Sequence, residues 1–194
     1  GRERRGIAGV VHRSPAGDNG FPGTLDVAVR YSVRDGRALH LEYTATTDAP
    51  TVLNLTNHAY FNLLGGGDIL DHVLTVAADR FVPVGAGLIQ SDAPCPVDGT
   101  PFDFRAGLRL GDGLASGHPQ IAVAGGYDHS FLFGPAPALA PRWVARLEAG
   151  GLAMDTYTTE PSVQVYTGNF LDSPRHAAVT LETQHVPDSP NRPE

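Results

Sequence analysis

TLDVAVRYSVRDGRALHLEYTAT, residues 24–46, alternates apolar and polar side chains on both sides of one dipeptide. Over 24–34, Leu25, Val27, Val29, Tyr31 and Val33 face one way, and Asp26, Ala28, Arg30, Ser32 and Arg34 face the other. Over 37–46, Leu39, Leu41, Tyr43 and Ala45 oppose His40, Glu42, Thr44 and Thr46. A period of two belongs to a strand, whose successive side chains leave opposite faces of a sheet. Between the two runs, Asp35-Gly36 suits a type I′ turn, whose twist matches an antiparallel hairpin. The stretch therefore predicts two paired antiparallel strands.

The same pattern extends outward. Short apolar runs bounded by turn residues predict strands at 51–55, 71–77, 80–84, 142–148, 152–158, 162–166 and 177–182. Ala149-Gly150-Gly151 marks a second hairpin. With 23 Gly and 16 Pro spread along the chain, long helices have little room, and one short helix or turn is expected around 106–115. Many short antiparallel strands and few helices predict an all-β fold, a sandwich or barrel. No internal repeat and no linker divides the chain, so a single domain over 1–194 is the expectation.

Composition excludes several classes. Net charge is −7 without a basic patch or stripe, so nucleic acid is not an expected partner. All 14 basic residues are Arg, which reads as base composition of the genome rather than chemistry. No apolar run is long enough to span a bilayer, and the start lacks a signal-peptide pattern, so the expectation is no membrane partner and a cytoplasmic location. The single cysteine, Cys95, has no partner for an internal disulfide; between prolines it reads as an inert thiol, with a catalytic thiol the alternative.

Four constellations carry candidate chemistry, and each has a plain alternative. In Asn54-Leu55-Thr56-Asn57-His58-Ala59-Tyr60-Phe61-Asn62-Leu63, His58 emerges after an apolar run, where a scaffold presents functional groups; it also fits a hydrogen-bonded structural histidine. In Gly125-Gly126-Tyr127-Asp128-His129-Ser130-Phe131, glycines let backbone approach a ligand, and Asp128 either accepts hydrogen bonds from sugar hydroxyls or caps its own turn. Gln164 alternates with Val163 and Val165, so it leaves the opposite face, as a functional amide or as exposed filler. Glu182 closes an apolar run ahead of Thr183-Gln184-His185-Val186-Pro187, as a working carboxylate or an edge-strand charge. Glu182-x-x-His185 and Asp128-His129 also suggest a metal site, but such spacing aligns ligands on a helix and these segments read as strand and turn.

Taken together these segments resemble the aldose 1-epimerase (galactose mutarotase) family. The resemblance rests on Asn54 to Leu63, Gly126 to Phe131, Val163 to Leu171 and Leu181 to Asn191, in the family's order, with Ser14 to Gly23 and Phe81 to Ile89 in support. It covers nearly the whole chain and matches the C-terminal portion of the family's longer sequence. It implies a large antiparallel β-sandwich of the galactose mutarotase-like type, N-terminally incomplete here, with the site in a cleft on one sheet. It further implies His58 as general acid, Glu182 as general base, and Asp128 and Gln164 as ligands of sugar hydroxyls. A small-molecule aldose is the implied partner, with no cofactor and no metal.

That assignment suits the chemistry of anomer exchange. A base takes the proton of the C1 hydroxyl while an acid protonates the ring oxygen, and reclosure reverses both transfers. Carboxylates are ordinarily ionised at neutral pH, and imidazole titrates near it.

The family's upstream Asn-Arg pair and His-Gly-Gly segment do not appear in this sequence, nor does its last strand. Glu160 stands where polar neutral residues are common in the family, and the loop after Asp172 looks short. The expectation is a chain with exposed apolar faces and open edges that associates and turns over poorly by itself. Two other functions fit the same residues: a non-catalytic carbohydrate-binding module, and a hexose 6-phosphate epimerase. The second needs arginines at the site, whereas Arg2, Arg4 and Arg5 are remote in sequence from all four constellations.

Overall fold

The computed structural model describes residues 7–134, 138–172 and 174–192, so Arg2, Arg4 and Arg5 lie outside the described residues. The chain divides into two compact units, Gly1–Leu55 and Thr56–Glu194.

The first unit is a three-stranded antiparallel sheet of β1 (Ile7–Ser14), β2 (Leu25–Arg34) and β3 (Ala38–Thr47), with β2 central. β2 and β3 form the hairpin expected from their alternation. Asp35 (φ 52°) and Gly36 (φ 67°) both take positive φ, and the Arg37 N–H donates to Arg34 O at 3.2 Å. Register pairs like with like: Val29 faces Tyr43 and Val33 faces Leu39. β1 has no clean alternation in its sequence and becomes a strand because β2 offers it an edge, with Val10 opposite Val29. The apolar side of this sheet is open: Val10, Val33 and Leu39 are 58%, 41% and 62% exposed.

In the second unit, a four-stranded sheet contains β4 (Val73–Val76), β7 (Leu108–Arg109), β9 (Arg142–Ala149) and β10 (Leu152–Thr158), in the order β10-β9-β4-β7. A five-stranded sheet contains β5 (Arg80–Phe81), β6 (Cys95–Pro96), β8 (Asp128–Leu132), β11 (Ser162–Tyr166) and β12 (Thr180–Gln184), in the order β12-β11-β8-β5-β6. All pairings are antiparallel. Two short helices, α1 (Leu110–Leu114) and α2 (Pro119–Ala124), lie between β7 and β8.

These two sheets bury one face each in a common core. Leu74, Val76, Val144 and Leu147 come from the four-stranded sheet, and Phe81, Phe131, Val163, Val165 and Leu181 from the five-stranded one. Phe102, Phe104 and Tyr127 fill the space between, and the Phe81 and Phe102 rings stack at 3.9 Å. Each fully buried Leu or Phe contributes about 1.5–3 kcal/mol, so this layer dominates the unit's cohesion. The arrangement is an antiparallel β-sandwich.

Sequence and structure differ in several places: the strands expected at 71–77 and 80–84 narrow to Val73–Val76 and Arg80–Phe81. Residues 51–55 form no strand, and Val52 and Leu53 are exposed; an apolar run without a neighbouring ladder stays irregular. β12 starts at Thr180 rather than 177, because Val179 is taken by an isolated bridge to Phe61. α2 was not legible from apolar periodicity, yet Pro119 opens it, His118 Nδ1 accepts the Gln120 N–H at 3.2 Å, and Gly125 (φ 68°) closes it.

Candidate active site

The outward face of the five-stranded sheet carries the polar residues that the inward face excludes. On β11, Val163 and Val165 enter the core, so Ser162, Gln164 and Tyr166 must leave on the other side. Register then builds two cross-strand rows. Ser130, Gln164 and Glu182 lie side by side on β8, β11 and β12, and Asp128, Tyr166 and Thr180 form the next row. Three of the four residues singled out by sequence thus fall on one face of adjacent strands.

The fourth arrives on a loop. Residues 56–63 run along the free edge of β12. The Phe61 N–H donates to Val179 O at 2.9 Å, and the Val179 N–H returns to Phe61 O at 3.0 Å. Thr56 Oγ1 donates to Thr183 O at 3.2 Å and Asn62 Nδ2 to Ala177 O at 2.9 Å. At the far end the Leu63 N–H donates to His72 Nε2 at 2.9 Å. His72 is fully buried, and burial lowers its pKa, which keeps the ring in the neutral form that accepts this bond. So fastened, the loop sets His58 Nε2 3.2 Å from Glu182 Oε1.

Glu182 is 8% exposed, whereas the His58 side chain is 51% exposed. A carboxylate so deep needs partners, because an unpaired buried charge is far costlier than a paired one. Thr180, fully buried, donates its hydroxyl to Glu182 Oε1 at 2.7 Å, and His58 stands at the same oxygen.

A second relay orients the amide. The Ser130 hydroxyl donates to Gln164 Oε1, which leaves Gln164 Nε2 to donate to Asp128 Oδ1 at 2.7 Å. Burial pushes the Asp128 carboxyl above its ordinary pKa; the Gln164 hydrogen bond and the nearby His58 pull it back. Asp128 is held from behind by His129, whose Nδ1 accepts the Asp128 N–H at 3.0 Å while its Nε2 meets Gln120 Oε1 at 3.0 Å. Ahead of them, Gly126 (φ 151°) lies so close to Asn169 that an added Cβ would sit 2.1 Å from its Oδ1. That glycine is required by the close approach of the Asn169 and Thr167 side chains to its backbone.

All four sequence candidates therefore converge: His58, Asp128, Gln164 and Glu182. Gln164 is no exposed filler, being 8% exposed. Ser130 and Thr180 were missed, though each is two residues from a named candidate on the same strand and so shares its face. Glu182 and His185 do not act as a pair: His185 Nε2 turns towards Glu160 Oε2 at 3.8 Å while Glu182 meets His58. Among the described residues no cluster of three His, Cys, Asp or Glu side chains is arranged around a metal position. A depression of about 350 Å³ lies on the first unit against Val11, Arg13, Asp26 and Thr44. It carries the exposed Arg13–Asp26 ion pair and none of the four candidates, so it is not the site that their chemistry marks.

The profile of the aldose 1-epimerase family matches residues 3–194. The chain belongs to the aldose 1-epimerase family. It is 42% identical to the galactose mutarotase of Rattus norvegicus over 195 residues, and 38% identical to the aldose 1-epimerase of Escherichia coli strain K12. In both cases 93% of this chain matches 55% of the relative, so the chain spans about half the length of the curated relatives it matches. Among solved structures, the galactose 1-epimerase of Lactobacillus acidophilus NCFM superposes with a TM-score of 0.87 at 29% identity, covering 96% of this chain and 56% of that one. The aldose epimerase homologue of C. elegans gives a TM-score of 0.79 at 28% identity, covering 92% and 56%. The fold is thus the galactose mutarotase-like one, present here over part of the family's length.

Proposed function

We propose that this chain carries the acid–base centre of an aldose 1-epimerase, acting on the hemiacetal of a free aldose such as galactose or glucose. The observation behind the reading is the contact of His58 Nε2 with Glu182 Oε1 at 3.2 Å, beside the Asp128–Gln164 pair. Both oxygens that exchange protons in mutarotation are bonded to the same carbon, C1. An acid and a base serving them must therefore stand within a few ångströms of each other, as these two do.

In the opening step the Glu182 carboxylate takes the proton of the C1 hydroxyl. The C1–O1 electrons form the carbonyl as the bond from C1 to the ring oxygen breaks, and that oxygen takes a proton from the His58 imidazolium. Rotation about C1–C2 presents the other face of the aldehyde. Ring closure returns one proton to His58 and takes the other from protonated Glu182, so no proton is gained or lost over a cycle. Asp128 and Gln164 accept and donate hydrogen bonds to the remaining hydroxyls and hold the ring during the turn. Positioned proton transfers of this kind contribute about 10²–10⁴-fold each.

Polarimetry on freshly dissolved α-glucose or α-galactose tests the reading. The chain is expected to speed the approach to equilibrium, by less than a full-length family member does, and Glu182→Gln and His58→Asn are each expected to remove most of that acceleration. Equal rates for the chain and for Glu182→Gln, or no acceleration by either, overturn it.

A further inference from the structure

The pairing of β5 with β8 stops short of Asp128. Phe81 pairs with Phe131, and the Val82 N–H still donates to Ser130 O at 2.8 Å. Continued in the same register, Val84 would stand opposite Asp128, but Val84 turns away to bridge Gln90. The two backbones part there, and their N–H and C=O groups need other partners. One side chain of α2 supplies those of Val84. The Val84 N–H donates to Gln120 Oε1 at 2.7 Å, and Gln120 Nε2 donates to Val84 O at 3.1 Å, so the amide pairs with Val84 as a strand neighbour would. Across the gap the Asp128 N–H donates to His129 Nδ1 at 3.0 Å, and His129 Nε2 meets the same Gln120 Oε1 at 3.0 Å.

Counting donors fixes every proton along this run of contacts. His129 Nδ1 accepts, so the neutral ring carries its hydrogen on Nε2 and donates it to Gln120. Burial favours that neutral ring, pushing its pKa down to about 3. Gln120 Oε1 then accepts from both His129 and Val84; turned over, the amide would set its NH₂ against two donors. His118 Nδ1 accepts the Gln120 N–H at 3.2 Å, which sets the start of α2 and so where Gln120 stands.

The far end of the run is the Tyr127–Asp128 peptide, fixed on both sides. Tyr127 O accepts the Thr167 N–H at 3.1 Å and Asn169 Nδ2 at 2.9 Å, and His129 takes the Asp128 N–H. The plane of that peptide sets the direction in which the Asp128 side chain leaves β8. We propose that Gln120 is a positioning residue for Asp128, acting through the His129 ring, whose tautomer and tilt its amide oxygen holds. The proposal rests on the sugar-binding reading above. Asp128 holds a hydroxyl that the proton transfers leave unchanged, so its misplacement weakens ground state and transition state alike. The signature is a rise in KM at nearly constant kcat.

Gln120→Met in the full 194-residue chain keeps the length of the side chain and removes its amide. Gln120 is half-buried and outside the apolar core, so that core keeps its packing. Long-range proton–nitrogen correlation NMR is expected to show His129 as the Nε2–H tautomer in the parent. In Gln120→Met it is expected to show a mixture of tautomers, with faster hydrogen exchange at the Asp128 amide. By polarimetry KM is expected to rise about 10-fold while kcat stays within about 2-fold. Gln120→Glu keeps an oxygen for the His129 Nε2–H and is expected to recover the tautomer and most of the affinity. In an Asp128→Ala background Gln120→Met is expected to add less than about 2-fold in KM, whereas general damage to the fold would add in full. An unchanged tautomer and amide exchange, an equal fall in kcat, or full additivity with Asp128→Ala overturns the positioning role and leaves the acid–base reading in place. A parent chain without turnover overturns the acid–base reading, and the role of Gln120 falls with it.

Discussion

His129→Leu removes a proton-binding group that the native state keeps neutral. The ring is fully buried, packed edge-on against Phe102 at 4.7 Å and Phe81 at 6.0 Å. Its two nitrogens are committed, one to the Asp128 N–H and the other to Gln120 Oε1. Burial, with a smaller contribution from His118, pushes its pKa down to about 3. An unfolded histidine titrates near 6.5. As pH falls through about 6.5 the unfolded chain takes up a proton that the folded one refuses until near 3, so stability is full above that window and declines across it. At about 1.4 kcal/mol per unit, the whole window is worth about 5 kcal/mol, and the step from about pH 7.5 to pH 5 about 2 kcal/mol. Urea unfolding read by the single tryptophan, Trp143, reports the second unit directly. Leucine leaves the Asp128 N–H without its acceptor, so the variant starts less stable. The diagnostic quantity is the loss between the two pH values, expected to be about 2 kcal/mol smaller in the variant. His72 is also depressed by burial but contributes equally to both proteins and cancels. Identical pH dependence in parent and variant refutes the reasoning, because it means that the native state protonates His129 freely.

Two further outcomes follow from the supporting contacts. Thr180→Val keeps the shape but removes the hydroxyl that steadies Glu182, and turnover by polarimetry is expected to fall about 10-fold, with Thr180→Ser restoring it. Gly126→Ala forces a methyl group to within 2.1 Å of Asn169 Oδ1 and 2.8 Å of Thr167 Oγ1. It is expected to cost about 2–3 kcal/mol in a denaturation curve, whereas Gly9→Ala, with open space around it, stays within about 0.5 kcal/mol.

Much of the fold was legible along the chain because strand alternation is a local property. The 24–46 hairpin, the Gly150-Gly151 hairpin and β11 all appear where side-chain parity and turn residues put them. What stayed hidden depends on partners. β1 needs the edge of β2, residues 51–55 lack a ladder despite their apolar run, and α2 is announced only by its caps. The four candidate residues could be named from their motifs, and parity even put Gln164 on the face opposite its valines.

Sequence alone determined the chemical inventory: one imidazole, two carboxylates and one amide in segments that alternate as strands or interrupt them, since residue type and period two are written locally. Only the tertiary structure decided that they meet. Register between β8, β11 and β12 sets Ser130, Gln164 and Glu182 in a row, and a loop more than a hundred residues away is fastened along β12 so that His58 reaches Glu182. The physical reason is that a pairing register and a backbone bridge such as Phe61–Val179 are free-energy choices between distant segments, made by the shared core and by the hydrogen bonds each edge would otherwise leave unmade.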